Sequence, residues 1–392
     1  MKILAINAGS SSLKFKLFKM PSEEILCAGS FGRIGMKDSF YQINIKNNTV
    51  DRQQVNLKNF SDCINLLIKK LILLEVILDN HDIQGIGHRV VHGGDAYSEA
   101  IIINQEVLNK IKQLSYLAPL HNPANALGIE VFNHFFPEAK KVAVFDTAFH
   151  QTMGEKAYIY PVPYEWYLNY GVRKYGFHGP SHQYINKRVS EVEARNNLKV
   201  ITCHLGNGNS ISAIDSGRCI DASMGFTPLA GLSMGTRSGD IDPFIIPYMM
   251  NRTNKTIDEV ISDLNTKSGF LGICGFSDYR DIEEGIKNKN EKCLLSHQIF
   301  VRRIASFIAT YHIFLGGADI ICFSGGIGEN SIRVREDVMQ MLKPIGVKVD
   351  IKENNKNQDL SLISTADSKI KCYIIHTNEE LMIARETYQL IK

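Results

Sequence analysis

The 392-residue sequence has no disulfide or zinc signature, no long uninterrupted apolar run, no marked excess of either charge and a single tryptophan. The eight cysteines (27, 63, 203, 219, 274, 293, 322 and 372) are scattered, with no C-x-x-C pair and no Cys/His cluster at zinc spacing. Most sit within apolar runs, where a free thiol behaves as a small buried hydrophobe, so a reducing cytoplasmic location is expected. The most apolar stretch, residues 63–78, contains Lys69, Lys70 and Glu75 and is too short to span a bilayer. It reads as part of a buried helix over 60–78. With 44 basic and 41 acidic residues the net charge is +3, which favours neither nucleic acid nor a membrane surface as partner. The N-terminus reads as a folded strand carrying a candidate site, and not as a removable leader.

What remains is a hydrophobic fraction of 44% and a charged fraction of 22%, as in globular proteins, in a chain long enough for two domains. The opening stretch, MKILAINAGSSSLKFKLF, organises the rest. Apolar residues 3–6 enter the polar turn Asn7-Ala8-Gly9-Ser10-Ser11-Ser12, and from Lys14 to residue 18 apolar and charged residues alternate with period two. This predicts a β-hairpin with a phosphate-sized loop. Small residues let backbone N–H groups and the hydroxyls, those of Ser10 and Ser12 included, approach an anion, while Lys14 returns a positive charge to the loop. It is not the strand-loop-helix phosphate motif, because Lys14 lies on a strand and the glycines are too few. Taken alone, the segment also fits a Ser/Gly-rich turn closing an ordinary hairpin.

Further along, residues 25–45 read as strand and turn, and 83–94 as a strand running into a glycine turn with two histidines and Arg89. Helices are expected over 107–117 and 124–135, and a short buried strand over 141–145 delivers Asp146 and Thr147 at its C-terminal end. Strands alternating with helices indicate an α/β fold, in which ligand sites collect at the carboxyl ends of strands. The opening hairpin then recurs: an apolar strand over 199–204, the loop Leu205-Gly206-Asn207-Gly208-Asn209-Ser210 and a returning strand over 211–214. This suggests two domains of related topology, each offering a loop to one ligand across a cleft, with a break near residue 148. A third glycine loop, Ser324-Gly325-Gly326-Ile327-Gly328-Glu329-Asn330, follows a buried strand and is expected to open a helix at Ser331, a common nucleotide cradle. Residues 352–358 read as a solvated loop before a last strand, 370–376, and a last helix, 378–390.

Two blocks, Ile6-Asn7-Ala8-Gly9-Ser10-Ser11-Ser12-Leu13-Lys14 and Gly87-His88-Arg89-Val90-Val91-His92-Gly93-Gly94, resemble the signature motifs of the acetokinase family. His121-Asn122-Pro123, Phe145-Asp146-Thr147-Ala148-Phe149-His150, Gly176-Phe177-His178-Gly179, Met234-Gly235-Thr236-Arg237-Ser238-Gly239 and Thr377-Asn378-Glu379-Glu380-Leu381 resemble its other blocks, in order. The resemblance covers essentially the whole chain. It implies the duplicated fold shared with actin, heat-shock chaperone ATPases and sugar kinases, and an ATP- and Mg²⁺-dependent reaction, with Mn²⁺ as a substitute ion, at an interdomain cleft of a homodimer. An N-terminal domain over 1–147, with 377–392 packing back on it, would carry the first phosphate loop and the carboxylate site. A domain over 148–376 would bind nucleotide and dimerise. Pro180 departs from the small hydroxyl residue expected there, a change that the first turn of a helix tolerates.

The resemblance also implies roles. Arg89 matches the substrate-binding arginine, Arg237 and His178 match transition-state stabilisers, and His121 a phosphoryl contact. Asn7 and Glu379 match magnesium ligands. Lys14, Ser10, Ser12, His204, Leu205, Gly206, Asn207, Gly208, Asp278, Tyr279, Arg280, Gly326, Ile327, Gly328, Glu329 and Asn330 match the nucleotide site, and Val91, Leu120, Phe177 and Pro228 an acyl pocket. The implied chemistry brings a carboxylate against the γ-phosphate, so charge is the obstacle. A small carboxylic acid, with a pKa near that of Glu at about 4.3, is already ionised at neutral pH. Asp146, which matches a position labelled proton donor or acceptor, is therefore expected to orient Arg89 or a magnesium-bound water. Val91, larger than the smallest residues, argues for acetate over propionate. A non-catalytic, nucleotide-gated actin-like protein is the alternative of another class, and it would lack Arg89, His178 and Arg237 together.

Overall fold

A computed structural model describes residues 1–45, 48–119, 121–356 and 358–392, with 48–51 in backbone only. The chain divides into two compact units, one of residues 1–149 with 378–392 and one of residues 150–377. No helix among the described residues is long and apolar enough to cross a membrane.

The first unit is built on an eight-stranded sheet of β1 (Lys2–Ala8), β2 (Ser12–Lys19), β3 (Glu24–Gly32), β4 (Phe40–Ile45), β5 (Asn48–Gln54), β6 (Gly85–Val90), β7 (Ile101–Ile102) and β8 (Lys140–Phe145), in the order β5-β4-β3-β2-β1-β6-β8-β7. β1 is central and covered on both faces, which is why residues 3–6 are uniformly apolar and fully buried. β2 has one buried face, so Leu13, Phe15 and Leu17 point inward while Ser12 and Lys14 are exposed. The hairpin register pairs Ala8 with Leu13 and Asn7 with Lys14. Helices Phe60–Leu73 and Asn122–Phe135 close the core that β1, β2 and β6 share.

The second unit carries a six-stranded sheet of β9 (Lys199–Leu205), β10 (Asn209–Asp215), β11 (Arg218–Ala222), β12 (Ile320–Ser324), β13 (Ser361–Leu362) and β14 (Lys371–Ile374), ordered β11-β10-β9-β12-β14-β13. The run β3-β2-β1-β6-β8 and the run β11-β10-β9-β12-β14 match strand for strand, in order and in direction. The duplication expected from the two hairpins is therefore present. The 24-residue helix Glu291–Phe314 packs Phe300, Ile304 and Ile308 into this unit's core.

Three local expectations are corrected. The helix expected to reach residue 78 stops at Leu73, where Leu74 caps it, Glu75 takes a left-handed φ of 55° and the Val76 N–H bonds back to the Leu71 carbonyl. Residues 325–330 are themselves helical, and Ser331 caps a separate helix, Ile332–Met341, by accepting from the Val334 N–H. Within the segment read as a solvated loop lies the helix Ile351–Lys356, whose Asn354 is buried and accepts from Arg335 Nε at 2.7 Å. Asn357 lies outside the described residues.

The C-terminal helix Glu379–Ile391 returns to the first unit and lies against β6, in which glycine is required. A Cβ on Gly87 would overlap Thr387 Oγ1 and Ile383 Cγ2, and one on Gly85 would overlap Ile391 Cδ1. Gly87→Ala is expected to destabilise the protein by about 1–3 kcal/mol, the usual cost of overpacking a closed contact, read as a lower urea midpoint.

Candidate active site

In the first unit the turn after β1 closes through a Gly9 N–H to Ser12 carbonyl bond of 2.8 Å, leaving the Ser10 and Ser12 side chains and Lys14 exposed beside half-buried Asn7. The turn is fixed from behind by Asn125, which donates to the Ala8 carbonyl at 2.8 Å and accepts from the Val91 N–H at 3.1 Å. Asn122 accepts from the His92 N–H, and the Thr147 hydroxyl accepts from the Gly93 N–H. The ends of β1, β6 and β8 are thus tied together by buried polar side chains. His121 occupies the N-cap position of the helix that starts at Asn122, but its side chain makes no capping bond there. Leu120 lies outside the described residues.

Arg89 and Asp146 come off adjacent strand ends and meet in a two-point pair, Nε to Oδ1 at 2.8 Å and Nη2 to Oδ2 at 2.6 Å, with Asp146 only 2% exposed. Glu379 Oε2 lies 3.9 Å from Arg89 Nη1. Burial alone would weaken the Arg89 charge; attraction to Asp146, and then to Glu379 and Glu380, outweighs it and holds the guanidinium more firmly protonated than usual. A carboxylate with both oxygens on one guanidinium edge is arranged to orient it. Asn7 and Glu379 are both oxygen donors, the chemistry a hard cation such as Mg²⁺ takes, and among the described residues no group of three or more His, Cys, Asp or Glu is arranged to hold a metal.

In the second unit the loop between β9 and β10 is closed by the Asn209 side chain, which accepts from the Gly206 N–H at 2.8 Å and donates to the Ser233 carbonyl. Gly235 approaches so closely that a Cβ there would overlap Asn207 Oδ1, and its N–H bonds to the Asn207 carbonyl at 3.1 Å. That contact brings in the turn that carries Arg237. His178 sits at the N-terminus of the helix Gly179–Glu193 with φ 57° and ψ 29°, a left-handed backbone unusual for histidine, and Pro180 occupies the first turn of that helix. A Cβ on Gly208 would lie 3.4 Å from Arg237 Nη1 and 3.4 Å from His178 Cε1, so one bare backbone position separates the two side chains. Arg237 is half-buried, donates to the Pro228 carbonyl at 3.2 Å and pairs with no carboxylate among the described residues; burial lowers its pKa. Phe177 is buried, and the Val91 side chain, in the first unit, is nearly so.

Three segments of the second unit surround a pocket of about 610 Å³: Gly206 and Asn207; Ser277, Asp278, Tyr279, Arg280 and Glu283; and Gly326, Ile327, Asn330 and Ser331. Asp278 caps the helix Tyr279–Lys287 and chelates Arg280, whose hydrogen bonds hold the carboxyl down at about 2. Leu205 is fully buried and Gly328 buried, so neither presents a side chain to this pocket. Glu329 turns inward, accepting from the Gly325 N–H at 2.8 Å and the Thr377 N–H at 3.0 Å. Ser277, Glu283 and Ser331 escape a reading of the sequence, because only the fold brings the helix Tyr279–Lys287 to the third glycine turn.

The doubled sheet with paired hairpins is the actin-like, sugar-kinase-like ATPase architecture. The chain belongs to the acetokinase family, whose model matches residues 2–385. It is 49% identical over 392 residues to the acetate kinase of Bacillus velezensis, covering 99% of each chain. Among solved structures it is similar to a propionate kinase from Francisella tularensis (39% identity, TM-score 0.95, 99% of each chain). It is also similar to the acetate kinase of Porphyromonas gingivalis (38% identity, TM-score 0.94, 100% of each chain).

Asp146→Asn is expected to lower turnover by roughly 100-fold through a misoriented Arg89, with no ionisation lost from the pH profile between about pH 6 and 8. A profile of kcat against pH that loses one limb in the variant would restore Asp146 as a general base.

Proposed function

We propose that the chain is an acetate kinase: it transfers the γ-phosphoryl group of ATP to acetate, reversibly, giving acetyl phosphate and ADP by direct in-line displacement. The observation that carries this reading is Arg237, a half-buried cation paired with no carboxylate among the described residues and set with His178 against the Gly208 backbone. A desolvated guanidinium so placed is suited to the equatorial oxygens of a phosphoryl group in transfer.

Arg89, aimed by Asp146, holds the acetate carboxylate or the transferring group, and His121 and His178 contact the phosphoryl oxygens. The carboxylate attacks as it is, already ionised, and no proton is removed. Lys14 with the Ser10 and Ser12 turn, and His204 to Gly208 with the pocket at Asp278–Arg280 and Gly326–Asn330, hold the nucleotide. Glu329 contributes by fixing its own helix. Asn7 and Glu379 would hold Mg²⁺, or Mn²⁺ in its place, which when bound supplies charge neutralisation at the phosphates. By their match to the family's acyl-pocket positions, Val91, Leu120, Phe177 and Pro228 are assigned to the methyl group of acetate. We assign the enzyme to the cytoplasm, in keeping with eight buried free thiols among the described residues, and to a homodimer held by the second unit.

A propionate kinase is the neighbouring reading. One methylene is worth only about 1–3 kcal/mol, so overlapping activity on propionate is expected. Incubation with Mg-ATP and acetate, propionate or butyrate, with hydroxylamine to trap the acyl phosphate, should give hydroxamate most efficiently from acetate. A tenfold preference for propionate in kcat/KM would overturn the acceptor assignment, and no hydroxamate from any acid would overturn the kinase.

A further inference from the structure

Behind His178 runs a chain of side chains that the phosphoryl-transfer reading leaves unused. His178 Nδ1 is 2.8 Å from Ser210 Oγ, Ser210 Oγ is 2.7 Å from His182 Nε2, and His182 Nδ1 is 2.7 Å from Thr202 Oγ1. Thr202 and His182 are fully buried and Ser210 is 1% exposed, so bulk water does not satisfy these groups.

The direction of the chain follows from counting protons. Thr202 Oγ1 has one hydrogen-bond partner among the described residues, His182 Nδ1. If it only accepted, its own hydroxyl proton would be buried with no acceptor, a desolvation cost with nothing to offset it. It therefore donates. His182 is kept neutral by burial, with neighbouring His150 and His204 acting in the same sense, so it has a single N–H, now on Nε2. That N–H donates to Ser210 Oγ. The Ser210 proton has one remaining destination, His178 Nδ1, which must accept it. The His178 ring proton then sits on Nε2, the nitrogen 3.5 Å from the Cβ position of Gly208, on the side that faces Arg237.

We propose that Thr202, His182 and Ser210 form a one-way hydrogen-bond relay that fixes His178 as the neutral tautomer protonated at Nε2, so that it serves phosphoryl transfer as an uncharged N–H donor. Ser210, His182 and Thr202 are positioning residues for the reaction proposed above, on which the catalytic half of this inference rests. Within the second unit, the charged and titratable groups beside His178 agree with a neutral ring. Arg237 lies across Gly208, the His204 ring centroid is 4.3 Å from that of His178, and His182 with His150 stands behind Ser210. A positive charge on His178 would face Arg237 and lose the Ser210 proton as a bond. The geometry also separates two jobs: Arg237 supplies charge, and His178 supplies direction.

The test is ¹⁵N NMR of histidine-labelled enzyme at pH 7.5 without substrate, with the His178 signals assigned by their loss in His178→Gln. The expected spectrum has His178 Nε2 protonated and Nδ1 unprotonated. In Ser210→Ala the two tautomers should mix and kcat should fall by about 10- to 100-fold, with the KM for ATP within about threefold, because alignment and not nucleotide affinity is lost. A wild-type signal from a ring protonated at Nδ1, alone or as imidazolium, overturns the relay, as does a Ser210→Ala enzyme with unchanged tautomer and unchanged kcat. The wild-type spectrum decides even if the variant does not fold. It is read without turnover, so it fails or succeeds separately from the kinase assignment.

Discussion

Arg237 is a cation that the fold partly withdraws from water and leaves without a carboxylate among the described residues. Keeping such a charge costs free energy unless an anion arrives to share it. Much of the second unit's local construction holds that arrangement in place. Gly235 lets its turn close on Asn207, Gly208 lies between Arg237 and His178, and His178 accepts a left-handed backbone to reach the same point. Arg89 is the contrasting case. Its charge is compensated by Asp146 on one edge, which fixes the plane of the fork, so it is an aimed donor, whereas Arg237 donates to a carbonyl and has no carboxylate to balance its charge among the described residues.

Duplication explains how one chain offers phosphate-sized turns from two sheets. Each unit repeats an antiparallel hairpin whose first strand pairs in parallel with the next strand of the sheet, and in each the small-residue turn falls at the end of that first strand. The means of fixing the turn differ. Asn125 reaches the first from the helix Asn122–Phe135, whereas Asn209 holds the second from within the hairpin. Buried amides suit both tasks because each can donate and accept at once.

The hairpins, the α/β class and the duplication are legible in the sequence because they depend on local periodicity and turn composition, visible in residues 3–18 and 199–215. The end of the helix Phe60–Leu73 is not, since Leu73 and Leu78 continue the apolar run yet are 71% and 84% exposed. Nor is the helix Ile351–Lys356, whose polar composition reads as loop until Arg335 reaches across to Asn354. Within the site, the residue types around Arg89, His178 and Arg237 stand out from their glycine settings. Their supports, Asn125, Ser210 and Thr202, and the pocket-lining Ser277, Glu283 and Ser331, are ordinary polar residues whose meaning arises only when the fold sets them beside a particular neighbour.

The claim on which the account turns is that Arg237 serves the phosphoryl group in transfer more than the bound nucleotide. The direct measurement compares Arg237→Ala with the parent enzyme in two affinities: for ADP alone, and for ADP with aluminium fluoride and acetate, a flat anion that imitates the group in flight. The account predicts ADP affinity within about threefold and a loss of at least ~100-fold for the ternary mimic, the scale of one missing transition-state donor. Equal losses in both would contradict it and make Arg237 a nucleotide contact only.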